Sequence, residues 1–285
     1  MEALMPRRPA IVVGTDLTPI SAHAVARAAA IAHEHGAALH VVHATSRLPR
    51  ALVRRFLPDE AAGERCVREA VESVVADLRA DGVTASAHLV PGSAATILRK
   101  TARDVDAALV VVGSRGRTLG GALIGSTAER VVEGKGAPVL LARQPRTLPY
   151  RAVTVAVDVD SDVRRAVDGA TFAAGGAELS ILHAYEGPFE NKLMLHGADA
   201  GALRRYRDHS RGEAREAVES RIVEAGLDAR LLRLVHGNRR PVLARAAKSG
   251  VLLVIDRSDS TARHVILGSV SRWVIEHTAG DVLLV

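Results

Sequence analysis

The sequence predicts an α/β fold of two tandem domains, each a doubly wound and mainly parallel sheet. Three observations carry this reading. The chain contains an internal repeat that runs from end to end. Its apolar runs are short, rich in Val, Ile and Leu, and mostly lack polar alternation, as in strands buried on both faces of a parallel sheet. Between these runs lie segments whose apolar residues recur at helical spacing.

The repeat is read by aligning five landmarks. IVVGTD (Ile11–Asp16) matches VTVAVD (Val153–Asp158), and HVVHA (His40–Ala44) matches SILHA (Ser180–Ala184). Pro91-Gly92 matches His236-Gly237, Gly125-Ser126 matches Gly268-Ser269, and PVLLA (Pro138–Ala142) matches DVLLV (Asp281–Val285). Partners lie 140 to 145 positions apart, as for 43 and 183 or 91 and 236, and their order is kept. That is a tandem duplication. The polar, Pro-containing stretch QPRTLPYR is the natural connector, so the domains are expected at 1–149 and 150–285.

The first half predicts strands at Ala10–Thr15, Ala38–Ala44, Ser86–Val90, Ala107–Val112 and Val139–Ala142. Glu64–Arg79 reads as a helix with Val67, Ala70, Val71, Val74, Val75 and Leu78 on one stripe. In the second half, Arg204–Ala225 carries Tyr206, Ala214, Ala217, Val218 and Ile222 in the same way. Right-handed crossovers between such strands put helices on both faces of the sheet. Ligands in such sheets bind outside the carboxyl ends of the strands.

Composition narrows the class. Of 285 residues 48% are apolar, enough for two cores, but only 2% are aromatic, so those cores rest on Ala, Val and Leu. No apolar run reaches the roughly 20 residues needed to span a bilayer, and the start MEALMPRRPA has no apolar signal core. Cys66 is the only cysteine, so no intrachain disulfide forms, and a soluble cytoplasmic protein with no membrane association is expected. The net charge of +6 invites a nucleic-acid reading. The arginines alternate with acids and there is no aromatic platform for stacking bases, so that reading is set aside.

The stretch LVVVGSRGRTLGGALIGSTAER (Leu109–Arg130) carries the chemistry. A buried strand stops at Gly113, a glycine-rich loop follows, and Gly125-Ser126-Thr127 opens a helix. Glycines let backbone approach a ligand and reach positive φ, and the free N–H groups of a helix start favour an anion. Gly113, Gly116, Gly125 and Ser126 therefore read as a phosphate cradle; the plain alternative is a tight turn with Ser126 as a helix cap. The second half repeats the layout as LLVIDRSDSTARHVILGSVSRW, with Asp256 and Asp259 in place of two glycines.

These residues resemble the universal stress protein family in its tandem two-domain form. The likeness rests on GTD (Gly14–Asp16), His43-Ala44, Pro91-Gly92, and VVGSRGR…GSTAERVV followed by PVLLA. The family pattern is G-x2-G-x9-G-[ST]; here Gly113-x2-Gly116-x8-Gly125-Ser126 is one residue shorter, and Asp259 to Gly268 repeats the shortening. The resemblance implies five-stranded, Rossmann-like sheets of order 3-2-1-4-5. It also implies an adenine nucleotide, ATP with or without Mg2+, held in the first domain only by a stress-response regulator. By resemblance Gly14, Thr15 and Asp16 lie beside adenosine, Ala44 and Val112 contact adenine, and Thr127 joins Ser126 at the phosphates; Ala44 and Val112 read equally as plain strand core. Asp16 has a second reading, as cap of a helix from Thr18 onward. Arg115 reads as a phosphate partner or as a solvated loop residue.

Other features carry weaker readings. His40 and His43 alternate with valine along one strand; nothing else has ligand spacing, so they read as structural histidines and no metal is expected. Asp158, Asp160, Asp162, Asp256 and Asp259 converge on the second crevice, where phosphate is repelled. Either a hard cation such as Mg2+ or Ca2+ sits there, or Arg257, Arg263 and solvent balance the charge. No GxxxxGK[ST], nucleophile elbow or zinc spacing is present, so no enzyme beyond slow ATP hydrolysis is expected. The competing reading is a structural or interaction protein whose cradles are both vestigial. An unidentified protein partner would read a surface that nucleotide changes by ordering Ser46–Glu60. The two halves are expected to pair through Val139–Ala142 and Val282–Val285 as an internal pseudo-dimer, the alternative being a homodimer through the same edges.

Overall fold

The computed structural model describes residues 8–45, 60–114, 117–118, 121–122, 125–134, 136–144, 149–257 and 267–285. They divide into two compact units, one up to Pro149 and one from Tyr150.

In unit one, β1 (Ala10–Gly14), α1 (Pro19–His35), β2 (Ala38–Thr45), α2 (Glu60–Ala80), β3 (Ala85–Pro91), α3 (Ala94–Asp104) and β4 (Ala107–Gly113) alternate along the chain. A two-residue antiparallel pair follows, β5 (Arg117–Thr118) with β6 (Gly121–Ala122), and then α4 (Ser126–Val132) and β7 (Val139–Ala142). β1 pairs in parallel with β2 and β4, β3 lies beyond β2, and β7 lies beyond β4, giving the order β3-β2-β1-β4-β7. Ile11 stands beside Leu39 and Leu109 in register, and all three are fully buried. Each such side chain contributes about 1.5–3 kcal/mol on leaving water. Nothing polar could be placed there without a partner, which is why these strands read as unbroken apolar runs.

The helices begin and end where their sequences dictate. Thr18 caps α1 by accepting from the Ser21 N–H, and Pro19 occupies the first turn, where its missing N–H costs nothing. Gly36 closes α1 in the left-handed region at φ 58°, and its N–H returns to Ala32 and His33. In α2 the expected stripe turns inward: Val71, Val75 and Leu78 are buried, with Val67, Ala70 and Val74 half-buried.

Unit two repeats the plan with β8 (Ala152–Ala156), α5 (Val163–Ala173), β9 (Glu178–Tyr185), α6 (Glu190–Leu195), α7 (Ala200–Glu224), β10 (Leu232–His236), α8 (Arg239–Ala246), β11 (Val251–Ile255), α9 (Ser269–His277) and β12 (Val282–Leu284). Its order is β10-β9-β8-β11-β12, again parallel throughout. On α7, Val218 and Ile222 are fully buried, whereas Ala217, placed on the same stripe from sequence, is exposed. Ala217 lies one position off the buried Val218, at the edge of the face that meets the sheet. The short α6 has no counterpart in the sequence reading. It is held by Glu190, which accepts from Arg207 Nε at 2.7 Å and bonds His236 Nε2 at 2.9 Å. Donation from Arg207 comes first among the causes that hold the Glu190 carboxyl below its usual range.

Two backbone devices are duplicated. Gly92 and Gly237, after the third strand of each unit, stand at φ 135° and 132°, a region in which a side chain is strained. Their N–H groups donate to Thr45 O at 3.0 Å and to Tyr185 O at 2.8 Å. In the same way, His43 Nδ1 meets Thr15 O and His183 Nδ1 meets Val157 O, both at 2.9 Å. Each imidazole donates across to the end of its neighbouring first strand. This is the structural role expected of His43.

Candidate functional site

At the carboxyl ends of β1, β2 and β4, and against the start of α4, lies a cavity of about 520 Å³. Gly14, Thr15, Asp16, Ala44, Val112, Gly113, Gly125, Ser126 and Thr127 all line it. Four separate elements thus bring nine of the expected residues to one place. Arg115 and Gly116 lie outside the described residues, as do Asp259, Arg263 and the segment 46–59 expected to order over the ligand. Leu98, Ile20, Pro19 and Ala94 complete the wall with apolar surface.

The glycines act differently from the expectation of positive φ. Gly125 precedes α4 at φ −64° and ψ 144°, ordinary extended backbone, and no side chain caps the helix there. The first N–H groups of α4 are therefore left to whatever enters the cavity. At Gly113 the approach is close: a Cβ there would lie 3.3 Å from Ile20 O and 3.4 Å from Ser21 Cα, so α1 would have to give by a few tenths of an ångström. Gly14 is similarly tight, since its Cβ would meet Leu98 Cδ1 at 3.0 Å.

The connector from β1 to α1 is held by a network that sequence reading missed. Ser21 Oγ accepts from the Asp16 N–H at 3.2 Å and lies 3.1 Å from Thr15 Oγ1, which accepts from the Leu17 N–H at 3.1 Å. Asp16 Oδ1 accepts from the Thr18 hydroxyl at 2.6 Å and the Thr18 N–H at 3.1 Å. Asp16 is therefore not the cap of α1. It grips the cap residue Thr18, and the helix starts at Pro19 rather than Thr18 because Thr18 has extended backbone, at ψ 160°. Leu17 between them sits at φ 62°, a left-handed conformation that costs a leucine roughly 1–2 kcal/mol. Burial pulls the Asp16 carboxyl upward, but hydrogen bonds from Thr18 and Ser21 outweigh it and hold the group below its usual range. Asp16 is the one titratable side chain among the described lining residues.

The matching cavity of unit two, about 530 Å³, is lined by Asp158, Asp160, Asp162 and Asp256, with Arg165, Arg239 and Arg257. Two of its carboxylates are used within the protein, Asp158 and Asp162. Arg239 Nη1 donates to Asp158 Oδ2, closing an ion pair across the mouth. Asp162 caps α5 by accepting from the Arg165 N–H at 3.0 Å. Arg257, one of the residues expected to balance the acids, is buried; its backbone N–H donates to Val285 O and its Nη2 to Leu284 O, at the ends of β11 and β12. The counterion of Asp158 is Arg239. It occupies the place of Ala94, the first residue of the helix after the glycine at φ above 130°. Among the described residues no group of three or more His, Cys, Asp or Glu could hold a metal ion. Cys66 is exposed, and no helix among the described residues is long and apolar enough to cross a membrane.

Fold and cavity together define a tandem α/β protein with a crevice at the switch point of a parallel sheet, where ligands of such sheets bind. The model of the universal stress protein family matches residues 8–143 and again 149–285, and the chain belongs to that family in its tandem two-domain form. Its fold matches a universal stress protein from Archaeoglobus fulgidus at 20% identity and a TM-score of 0.66, covering 96% of this chain and 97% of that one. A putative universal stress protein from Pseudomonas aeruginosa matches at 19% identity and a TM-score of 0.65, covering 98% and 92%. A single-domain universal stress protein from Archaeoglobus fulgidus, solved in complex with dAMP, matches over 47% of this chain and 97% of that one at 26% identity and a TM-score of 0.36. No curated protein matches the sequence.

Proposed function

We propose that unit one binds an adenine nucleotide, that unit two does not, and that nucleotide occupancy is the signal this stress-response regulator passes to a partner protein. The observation that carries the reading is the convergence of nine expected residues on one cavity. The apolar wall formed by Ala44, Val112 and Leu98 suits a base, and the uncapped start of α4 suits a phosphate. Asp16, at the mouth, suits a ribose hydroxyl. With Asp16 the single titratable lining residue, the described wall supplies no base and no second carboxylate, so any Mg2+ arrives with the phosphates of ATP. Binding without turnover is the corresponding reading. In unit two, the Asp158–Arg239 ion pair crosses the mouth and Asp256 stands in the place of Gly113. A cytoplasmic setting belongs to the same proposal.

The test is calorimetry of the full chain with ATP, ADP, AMP and dAMP. One nucleotide per chain is expected. Two equivalent sites per chain would overturn the asymmetry between units. No binding of any of the four would leave an interaction protein with two vestigial cradles.

A further inference from the structure

A second cluster lies on the sheet of unit one. His40 on β2 and Ser86 on β3 are partners in register, and His88 stands two residues further along β3. Alternation places these three side chains on one face of the sheet, opposite to His43. Three of their atoms form a nearly equilateral triangle. His40 Nδ1 lies 3.0 Å from His88 Nε2, and Ser86 Oγ lies 3.0 Å from the first and 3.1 Å from the second. The rings face each other at 5.1 Å between centroids, and all three residues are half-buried on β3, the edge strand, and its neighbour. The second unit lacks the cluster: by the same alignment it carries Ser180, Leu231 and Arg233 at these places.

Protons can bond at most two sides of this triangle. A neutral imidazole nitrogen either donates or accepts, and a hydroxyl has one proton. If one ring nitrogen carries hydrogen, it donates to Ser86 Oγ and the hydroxyl donates to the other ring, leaving the two nitrogens in unbonded contact. If both carry hydrogen, both donate to the hydroxyl and oppose each other. If neither does, only one bond forms. At most two of the three contacts are hydrogen bonds in any protonation state. A cation that accepts three lone pairs satisfies all three at once.

We propose that His40, His88 and Ser86 form a binding site for a late first-row divalent cation, Cu(II) or Ni(II), independent of the nucleotide cavity. Metal–nitrogen bonds of about 2.0–2.1 Å spaced 3.0 Å apart subtend an angle of about 90–95° at the ion. That is the angle between neighbouring ligands of the tetragonal geometry these ions prefer, whereas tetrahedral zinc needs ligand atoms about 3.3 Å apart. Burial, and for His40 also the neighbouring His88, hold both rings below the usual histidine range. Neither ring bonds a carboxylate, arginine or lysine among the described residues. Water completes the coordination. The site has only two imidazoles and a hydroxyl, so it lies below the three-ligand clusters described above. In sequence the obvious pair was His40 with His43, which the strand sends to opposite faces.

The experiment is titration of tag-free full-length protein with CuCl2, followed by calorimetry and by electron paramagnetic resonance. One equivalent is expected, with hyperfine structure from two imidazole nitrogens. His40→Gln and His88→Gln should each weaken binding at least tenfold and remove the two-nitrogen signature. In the unaltered protein, substoichiometric Cu(II) should broaden the ring resonances of His40 and His88 before those of any other histidine, a readout that no loss of folding can confuse. An unchanged two-nitrogen signature in both variants, or first broadening at another histidine, would overturn the assignment.

Discussion

Ala94 and Arg239 hold the same place, the first residue of the helix that follows the third strand of their unit, and they border two different crevices. Beside Ala94, Asp16 is engaged among the described residues only by its own connector. Beside Arg239 the equivalent Asp158 is tied into an ion pair. The connectors differ as well: four residues (15–18) separate β1 from α1, but six (157–162) separate β8 from α5. α1 comes close to Gly113, and in unit two Asp256 takes that place. Yet Gly92 and Gly237, His43 and His183, and the uncapped helix starts after Gly125 and Gly268 are kept nearly unchanged. After duplication, devices that close the backbone persist because the fold needs them. Other lining positions have diverged, as at Ala94 and Arg239 or Gly113 and Asp256.

The sharpest way to break the comparison is to transplant its key residue. Ala94→Arg should let the new guanidinium pair with Asp16 and lower nucleotide affinity of unit one at least a hundredfold, about 2.7 kcal/mol. Calorimetry on a variant with an unaltered melting curve reads this. Unchanged affinity means that the ion pair is not what separates the units. Arg239→Ala should not create a second nucleotide site, because Asp256 remains.

A smaller effect is expected in the scaffold. A Cβ on Gly280 would lie 2.8 Å from Ala247 O and 3.0 Å from its carbonyl carbon, and both are backbone atoms. Gly280→Ala should destabilise unit two by about 1–3 kcal/mol, the range for overpacking. The aligned residue of unit one is already Ala137, so the space differs there. A thermal scan in which the variant melts like the parent shows that α8 can retreat without cost.

Asp16→Ala should weaken nucleotide binding by about 1–3 kcal/mol, the range for a hydrogen bond to a charged group. The same carboxyl gives a pH dependence. Its folded pKa lies below the ordinary 3.8, so its contribution to stability is present above that pH and is lost as pH falls through the lower folded value. Parent and Asp16→Asn should therefore differ near neutrality and converge in acid below about pH 4. Curves that converge only above pH 5 would point to a different group.

Least of all, replacing His43 or His183 by Phe should cost about 0.5–1.5 kcal/mol each, the net value of one hydrogen bond. The buried His183 belongs at the upper end and the half-buried His43 at the lower. Denaturant midpoints compare them directly, and a reversed order would show that burial does not scale this duplicated bond.

Much of this was legible before any coordinates. Offsets between Ile11 and Val153 or His43 and His183 report a duplication directly. Runs such as Leu109–Val112 read as strands covered on both faces, because they are short, rich in β-branched residues and lack polar alternation. Spacing on Val71, Val75 and Leu78 marks a buried helical face for the same reason. Even the site was within reach of a linear reading, since Gly14, Thr15 and Asp16 end a strand, Gly113 ends another and Gly125 starts a helix. What the sequence could not determine depends on contacts across strands. Arg239 reaches Asp158 across 81 positions, and Arg257 turns inward to the ends of β11 and β12. His40 meets His88 and Ser86 because strand register places them side by side. Periodicity tells which face of an element leaves water, and it is a local property. Which side chains converge is set by register and by helix approach distances of a few tenths of an ångström, and only the packed tertiary structure decides those.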